Sequence, residues 1–171
     1  MTEVALRAVR RSDDEALAAL VDMPGVRRGM TRLPFTTPDL MRRWLIDGGP
    51  STHVVIAESG GALVGFGALM RAEGRQAHCA ELSVAVRDDF AGRGVGRAIF
   101  GALVDLGDGW LGLSRLWLEV DPDNGRAIAL YEGFGFEREG VKRQDTMTDG
   151  RLTDSLVMGR LRAAPQPKGA T

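Results

Sequence analysis

The amino-acid sequence predicts one α/β domain, a mixed and mostly antiparallel β-sheet with helices on both faces. Apolar runs with strand periodicity alternate along the 171 residues with runs of helical periodicity. No Pro-, Gly- or Ser-rich linker is long enough to separate two domains. We predict the order β-α-α-β-β-β-α-β-α-β-β, with the domain over residues 1–162 and a disordered tail over residues 163–171.

The first elements are a strand and two helices. Residues 4–9 alternate as a strand, and residues 12–15 (SDDE) have the form of a capping box that starts a helix. A second helix is predicted after Thr37, because a proline follows it at the first helical position. Between the helices, residues 27–35 form a predicted loop that combines arginines with large apolar side chains.

A β-meander follows the second helix. The apolar runs at residues 53–58 and 62–70 flank the polar turn at residues 59–61, which is the pattern of a hairpin. A third run at residues 78–86 supplies the next strand. These three runs predict the antiparallel part of the sheet.

The C-terminal half alternates between helix and strand. Apolar residues at helical spacing follow the segment AGRGVG, and LWLEV at residues 116–120 reads as a strand. A short helix is predicted at residues 126–132, and two final strands are predicted around residues 134–136 and 152–158.

The composition argues against several classes of protein. The net charge is −1, whereas proteins that bind nucleic acid or anionic membranes carry a basic excess. No apolar run approaches the roughly 20 residues of a membrane span, and the N-terminus lacks the apolar core of a signal peptide. One cysteine and two histidines do not supply a His/Cys metal cage. We expect a cytoplasmic protein without nucleic-acid or membrane partners and without a metal.

A glycine-rich turn precedes the predicted central helix, with Gly92, Gly94 and Gly96 interleaved with arginines. Backbone N–H groups in such a turn point at one spot, and the helix dipole adds about half a positive charge. A P-loop would require Gly-Lys-Ser/Thr, and the Rossmann pattern places a further glycine where Arg97 or Ile99 falls. The turn therefore indicates either a pyrophosphate site on another scaffold or a turn that serves packing alone.

Two sequence blocks resemble one known family. FAGRGVGRAIF, at residues 90–100, is similar to the acetyl-CoA-binding motif Gln/Arg-x-x-Gly-x-Gly/Ala of the Gcn5-related N-acetyltransferases, and the preceding ELSVAV is similar to that family's fourth strand. LWLEVDPDNGRAIALYEGFGFEREG, at residues 116–140, resembles the family's second motif. The predicted order of elements fits the rest of the chain, and residues 146–161 are similar to the amino-acid N-acetyltransferase subgroup. The chain departs from the pattern at Ala91, where the family has Gln or Arg.

The resemblance implies the acyl-CoA N-acyltransferase fold, with acetyl-CoA as the donor and no metal. It implies that the donor's arm pairs with the strand near residue 85, while backbone groups of the glycine-rich turn cradle the pyrophosphate. Ala91 removes one side-chain contact but leaves this backbone cradle intact. The residues implied for the donor are Val84, Ala85, Val86, Ala91, Gly92, Arg93, Gly94, Val95, Gly96, Arg97 and Asn124.

Acid–base chemistry is expected from two residues. The resemblance places the general acid at Tyr131, whose phenol has a reference pKa of about 10; its alternative role is that of a core aromatic. Glu81 interrupts an apolar strand, and a carboxylate there requires a reason because burial is costly. We take Glu81 as the candidate base, with an exposed or Arg-paired surface residue as the alternative, and Glu119 as its competitor.

The acceptor is expected to be a primary amine on a small molecule such as an amino acid. The loop between the first two helices borders the acceptor in the family, so Arg32 could bind a carboxylate while Phe35 contacts the acceptor's side chain. Acetylation of protein N-termini or lysines is one alternative, and an acyl-CoA-binding regulatory module without turnover is another. A homodimer is also compatible with the resemblance.

Overall fold

The computed structural model describes residues 4–162, so the predicted tail at residues 163–171 lies outside the described residues. The strands are β1 (Ala5–Ala8), β2 (Thr52–Ser59), β3 (Ala62–Arg71), β4 (Cys79–Val86), β5 (Arg115–Val120), β6 (Glu137–Thr148) and β7 (Arg151–Leu161). They form one sheet of order β1-β2-β3-β4-β5-β7-β6. Every neighbouring pair is antiparallel except β4 and β5, which confirms the predicted mixed, mostly antiparallel sheet.

Helices cover both faces of this sheet, as predicted. They are α1 (Asp14–Val21), α2 (Pro24–Arg28), α3 (Pro38–Met41), α4 (Val95–Asp105) and α5 (Gly125–Glu132). Wider π-type turns extend α3 over Arg42–Ile46 and α4 over Leu106–Trp110. None of the described helices combines the length and the apolar character that a membrane span requires.

The N-terminal helices differ from the prediction in two places. The capping box at residues 12–15 is wrong, because a 3₁₀ turn at Arg11–Asp13 precedes α1. In this turn the Asp13 carboxylate accepts the backbone N–H of Arg10 at 2.7 Å. The segment after α1 also forms the short helix α2, which begins at a proline, so the predicted loop begins only after Arg28.

The strand predicted around residues 134–136 exists, but it begins after these residues. Phe134 and Phe136 pack on Phe100, with ring centroids 5.2 and 5.3 Å apart, and Gly135 between them has a φ of +84°. Packing both rings against α4 requires a turn at this point. The strand β6 therefore begins only at Glu137.

Two hydrophobic layers hold the helices to the sheet. On one face α4 and α5 pack against inward side chains of β3, β4 and β5; on the other, α1, α2 and α3 pack against β2 and β3. The helix α4 approaches the sheet so closely that a β-carbon at Gly67 would collide with Ile99. This close approach brings the glycine-rich turn before α4 to the C-terminal end of β4.

The sheet opens between its two parallel strands. β4 pairs with β5 only over Cys79–Glu81, whereas β4 continues beside β3 to Val86. The N–H of Arg87 donates to the carbonyl of Val64 on β3 at 2.9 Å. Because N–H directions alternate along a strand, the N–H groups of Val84 and Val86 face the opposite side, into the gap. Within the described part of the chain, the gap thus exposes unpaired β-strand backbone in the middle of the sheet.

Candidate active site

A cavity of about 730 Å³ lies at this gap and takes side chains from both faces of the sheet. The face that α1, α2 and α3 cover contributes Glu81 and Ser83 of β4 and Glu119 of β5. These side chains point to that face because their neighbours along each strand belong to the core under α4, and successive side chains of a strand point to opposite faces. Tyr131 of α5 contributes from the α4 face. The other lining residues are Gly29, Met30, Thr31, Arg32, Leu33, Pro34, Phe35, Thr36, Leu40, Trp44, Met70, Leu82 and Val84. The cavity therefore connects the two faces through the sheet.

Tyr131 is both a core aromatic and a wall of the cavity. Its ring packs on Phe100 with centroids 4.9 Å apart and approaches Phe136 at 6.4 Å. Burial raises the pKa of Tyr131 to about 12, because the phenolate loses its hydration. The phenol stays protonated at neutral pH and can donate a proton inside the cavity.

The two carboxylates of the cavity differ in their partners. Glu119 forms an ion pair with Lys142 of β6. Glu81 is half-buried and has no ion-pair partner among residues 4–162. Burial raises the pKa of Glu81, the negative charge of Glu119 raises it further, and Lys142 partly opposes the rise. Glu81 is thus the carboxylate that is available to accept a proton.

The glycine-rich turn places backbone donors at the N-terminus of α4. Gly92 and Gly94 have φ values of +84° and +83°, a conformation that side chains with a β-carbon rarely adopt. The first-turn N–H groups, those of residues 95–97, have no intrahelical acceptor, and Gly94 as N-cap brings no side chain to satisfy them. This geometry suits an anion.

The remaining donor-site candidates lie around this turn. Arg93 and Arg97 lie over the rings of Phe90 and Phe134, at 4.9 and 5.2 Å from the ring centroids. The side chain of Asn124 caps α5, its Oδ1 accepting the N–H of Ala127 at 3.1 Å, so its amide nitrogen and the second lone pair of Oδ1 remain for another partner. Ala91 is exposed. Gly96 lies inside α4, where a β-carbon would contact Val86 at 3.5 Å.

The backbone groups of the three predicted strand residues, Val84, Ala85 and Val86, do not all face the gap. The backbone of Ala85 faces β3, as the alternation from Arg87 requires, and its buried side chain belongs to the core under α1. The N–H groups of Val84 and Val86 face the gap. Of the three predicted strand residues, the structure therefore brings two to the gap through their backbone.

Arg32 lies against an aromatic ring at the other end of the cavity. Its guanidinium carbon is 3.7 Å from the centroid of the Trp44 ring. Its Nε is buried without a hydrogen-bond partner among the described residues, and burial lowers the pKa of this guanidinium. Phe35, 89% exposed with a φ of +63°, stands at the rim rather than inside. An uncompensated cation thus borders the cavity on the face opposite Tyr131.

The comparison with known protein families shows to which family the chain that forms this cavity belongs. The sequence model of the Acetyltransferase (GNAT) family matches residues 21–136, more than half of the chain. The chain belongs to the GNAT acetyltransferase family. It is accordingly an acetyl-CoA-dependent N-acetyltransferase, which rules against the regulatory module without turnover.

Relatives of this GNAT protein act on different amines. The chain is 27% identical to the L-amino acid N-acetyltransferase AaaT of Escherichia coli over 95% of its own length and 100% of the relative's. It is 35% identical to the N-alpha-acetyltransferase RimI of Mycobacterium tuberculosis over 65% of its length and 67% of the relative's. Both names specify N-acetylation, and they differ in the acceptor.

Solved structures of GNAT proteins share the fold. The ribosomal-protein-alanine N-acetyltransferase of Brucella melitensis superposes with a TM-score of 0.82 at 26% identity, covering 92% of this chain and 99% of that one. The yncA acetyltransferase of Salmonella typhimurium, solved with its cofactor acetyl-CoA, superposes with a TM-score of 0.84 at 20% identity, covering 96% and 99%. The predicted fold is therefore confirmed.

The structure places beside the candidate site two residues that the sequence patterns did not single out for it. Arg126 on α5 reaches over the glycine-rich turn, so that a β-carbon at Gly92 would collide with its Nη2. It has no carboxylate partner in the described part of the chain. A cation in the first turn of a helix opposes the helix dipole, and this was the signal available in the sequence. Trp44, in the π-type turn after α3, packs edge-on against the core ring of Phe66 with centroids 6.0 Å apart and at the same time supports Arg32.

Proposed function

We propose that the protein acetylates the α-amino group of a free amino acid, or of a similarly small zwitterion, by direct transfer in a ternary complex. One observation carries the proposal: a single cavity passes through the sheet, with a protonated phenol on one face. On the other face lie a carboxylate and a guanidinium that have no ion-pair partner among residues 4–162. The full-length similarity to an L-amino acid N-acetyltransferase supports the acceptor class.

The donor side uses backbone groups. Acetyl-CoA supplies the acetyl thioester that is transferred. The N–H groups of Val84 and Val86 in the gap would hold the donor's arm as a neighbouring strand does, and one of them would polarise the thioester carbonyl. The turn at residues 92–97 fits the pyrophosphate, because its glycines leave the backbone donors uncovered.

The acid and base act from opposite faces of the sheet. Glu81 would accept the proton of the acceptor's ammonium, and its raised pKa makes it a better match for this task than an exposed carboxylate. Tyr131 would deliver a proton to the departing thiolate sulfur. The separation between the two faces keeps the base beside the amine and the acid beside the donor.

Arg32 would bind the carboxylate of the acceptor. Its guanidinium is unpaired among the described residues, and the Trp44 ring holds it in place. A planar guanidinium can pair with a carboxylate through two parallel hydrogen bonds. Met30 and Leu40 supply apolar wall for the acceptor's side chain.

Replacing Arg32 with alanine is expected to raise the KM for a free amino acid about 10- to 100-fold, since a hydrogen bond to a charged group is lost. The KM for the corresponding amino-acid amide, which has no carboxylate, should hardly change. Steady-state assays of thiol release with both substrates measure the difference. Arg43→Ala, at an exposed arginine of the π-type turn that carries Trp44, is the control and should leave both values unchanged.

Acetylation of protein N-termini is the second candidate function. The similarity to N-alpha-acetyltransferases and the exposed Leu33 and Phe35 at the cavity mouth favour it. The same assay separates the two functions. Equal effects of Arg32→Ala on the acid and the amide would contradict the carboxylate contact, and faster turnover of peptides than of any free amino acid would replace the small acceptor with a polypeptide.

Arg126 would add side-chain charge to the pyrophosphate cradle, where Ala91 offers none. Replacing Arg126 with alanine is expected to weaken acetyl-CoA binding about tenfold, through the loss of a charge-assisted hydrogen bond. Calorimetric titration of acetyl-CoA measures this, with Arg75→Ala in the distant β3–β4 loop as the control. An unchanged Kd would mean that Arg126 lies over the turn without contacting the bound acetyl-CoA.

A further inference from the structure

Three charged side chains project from one face of the sheet. Glu81 lies on β4, Glu119 on β5 and Lys142 on β6. In the parallel pair Glu81 is opposite Trp117, so Glu119, two residues further along β5, projects to the same face. Across β7, Glu119 pairs with Val157, and Lys142 pairs with Ser155 on the same face of that strand. The Lys142 side chain therefore spans β7 to reach Glu119.

The ion pair is positioned to act on the cavity without blocking it. Glu119 lines the main cavity and also a smaller one of about 40 Å³ beside it. The Glu119 side chain is 22% exposed, whereas that of Lys142 is 48% exposed. A partly buried carboxylate that loses its partner keeps its charge at a cost and repels other anions nearby. Glu81 is such an anion, since Glu119 acts on it electrostatically and it has no ion-pair partner among residues 4–162.

None of the other described groups that face Glu81 could take over the role of Lys142 in neutralising Glu119. Arg32, from the loop before α3, borders the same cavity but is stacked on Trp44. Tyr131 from α5 is neutral at physiological pH, and the β3 partner opposite Glu81 is the uncharged Met70. Of the charged groups on the C-terminal strands, Glu119 and Lys142 act electrostatically on Glu81. Asp145 acts on Lys142, and Asp154, which lines the smaller cavity, accepts the N–H of Gln144.

We infer that Lys142 is a positioning residue for catalysis: by neutralising Glu119 it limits the charge repulsion on Glu81 and so favours the ionised carboxylate, although it contacts neither substrate nor Glu81. This inference rests on the proposed function in one respect, the role of Glu81 as base. The C-terminal hairpin thereby sets the pH range of the reaction from outside the cavity.

The test uses two substitutions with opposite expected signs. Lys142→Met leaves Glu119 uncompensated, so the pKa of Glu81 rises and the acidic limb of the kcat/KM profile moves to higher pH by about 0.5–1 pH unit. Glu119→Gln leaves the ammonium alone beside Glu81, so the limb moves to lower pH. Disruption of the fold would move both variants in the same direction. Arg143→Met, at the exposed next residue of β6, should leave the acidic limb at its wild-type pH. Lys142→Arg keeps the positive charge and should also leave the limb there.

A direct titration separates this inference from the proposed function. Carbon-13 NMR of protein labelled at the glutamate carboxyl carbons, with Glu81→Gln to assign the resonance, follows the midpoint of Glu81 in each variant. Midpoints that move up in Lys142→Met and down in Glu119→Gln support the inference, and an unchanged midpoint overturns it. If Glu81→Gln retains the acidic limb of the kinetic profile, the assignment of Glu81 as base fails, whatever the midpoints do.

Discussion

Replacing Gly94 with glutamate is expected to abolish acetyl-CoA binding. Gly94 is the N-cap of α4 at a φ of +83°, and no described atom lies within 4 Å of the place that a β-carbon would take there. A glutamate there would place its carboxylate in front of the N–H groups that are proposed to bind the pyrophosphate, and its charge would repel the phosphates. Both effects act on the donor site, so we expect the affinity for acetyl-CoA to fall more than about 100-fold, which corresponds to about 2.8 kcal/mol of binding free energy.

Calorimetric titration of acetyl-CoA measures this loss. The fold should survive, because a negative charge near a helix N-terminus stabilises the helix and offsets part of the cost of the left-handed backbone. Gly112→Glu is the matched control: Gly112 has a φ of +61° with open space around it, beyond the other end of α4. If Gly94→Glu bound acetyl-CoA as the control does, the phosphate site would lie elsewhere.

Replacing Tyr131 with phenylalanine is expected to lower kcat about 10²- to 10⁴-fold, the usual contribution of a positioned acid. The substitution keeps the ring that packs on Phe100 and Phe136 and removes only the hydroxyl. Thermal unfolding and the Kd for acetyl-CoA should therefore hardly change. A single-turnover measurement of acetyl transfer isolates the chemical step from product release.

The pH dependence gives a second test of this acid. Because burial raises the pKa of Tyr131 to about 12, the phenol stays protonated up to about pH 10, and the wild-type profile should show no loss from this group below that pH. A single-turnover rate in Tyr131→Phe equal to that of the wild type would return Tyr131 to a role in the core alone. The proton for the thiolate would then have to come from water.

Much of the fold could be predicted from local pattern. The hairpin of β2 and β3, the strand β4 and the helix α4 follow from apolar periodicity, and Thr37 caps α3 through its side chain, as its place before Pro38 predicts. Prediction failed where distant packing overrode the local pattern. The rings of Phe134 and Phe136 dock on α4, so a turn replaces the predicted strand there.

The candidate site divides in the same way. Sequence motifs indicated Tyr131, Glu81 and the glycine-rich turn, since each belongs to a short segment with a distinctive pattern. Arg126 and Lys142 were not found, because each reaches its position only when α5 docks beside α4 and when β6 docks beside β7. Their neighbours in the site are far away in the chain.

The sequence by itself determined the order of the strands, the order of the helices other than α2, and the backbone turn at the start of α4, because these depend on residues within a few positions of one another. The tertiary structure alone decided where β4 and β5 separate, and hence that Tyr131 and Glu81 share one cavity from opposite faces of the sheet. It also decided which carboxylate has a partner, since Glu119 forms an ion pair with Lys142, whereas Glu81 forms none within the described residues. The physical reason is that local periodicity fixes which face a side chain takes, whereas the charge and solvent around it depend on which distant elements pack against that face.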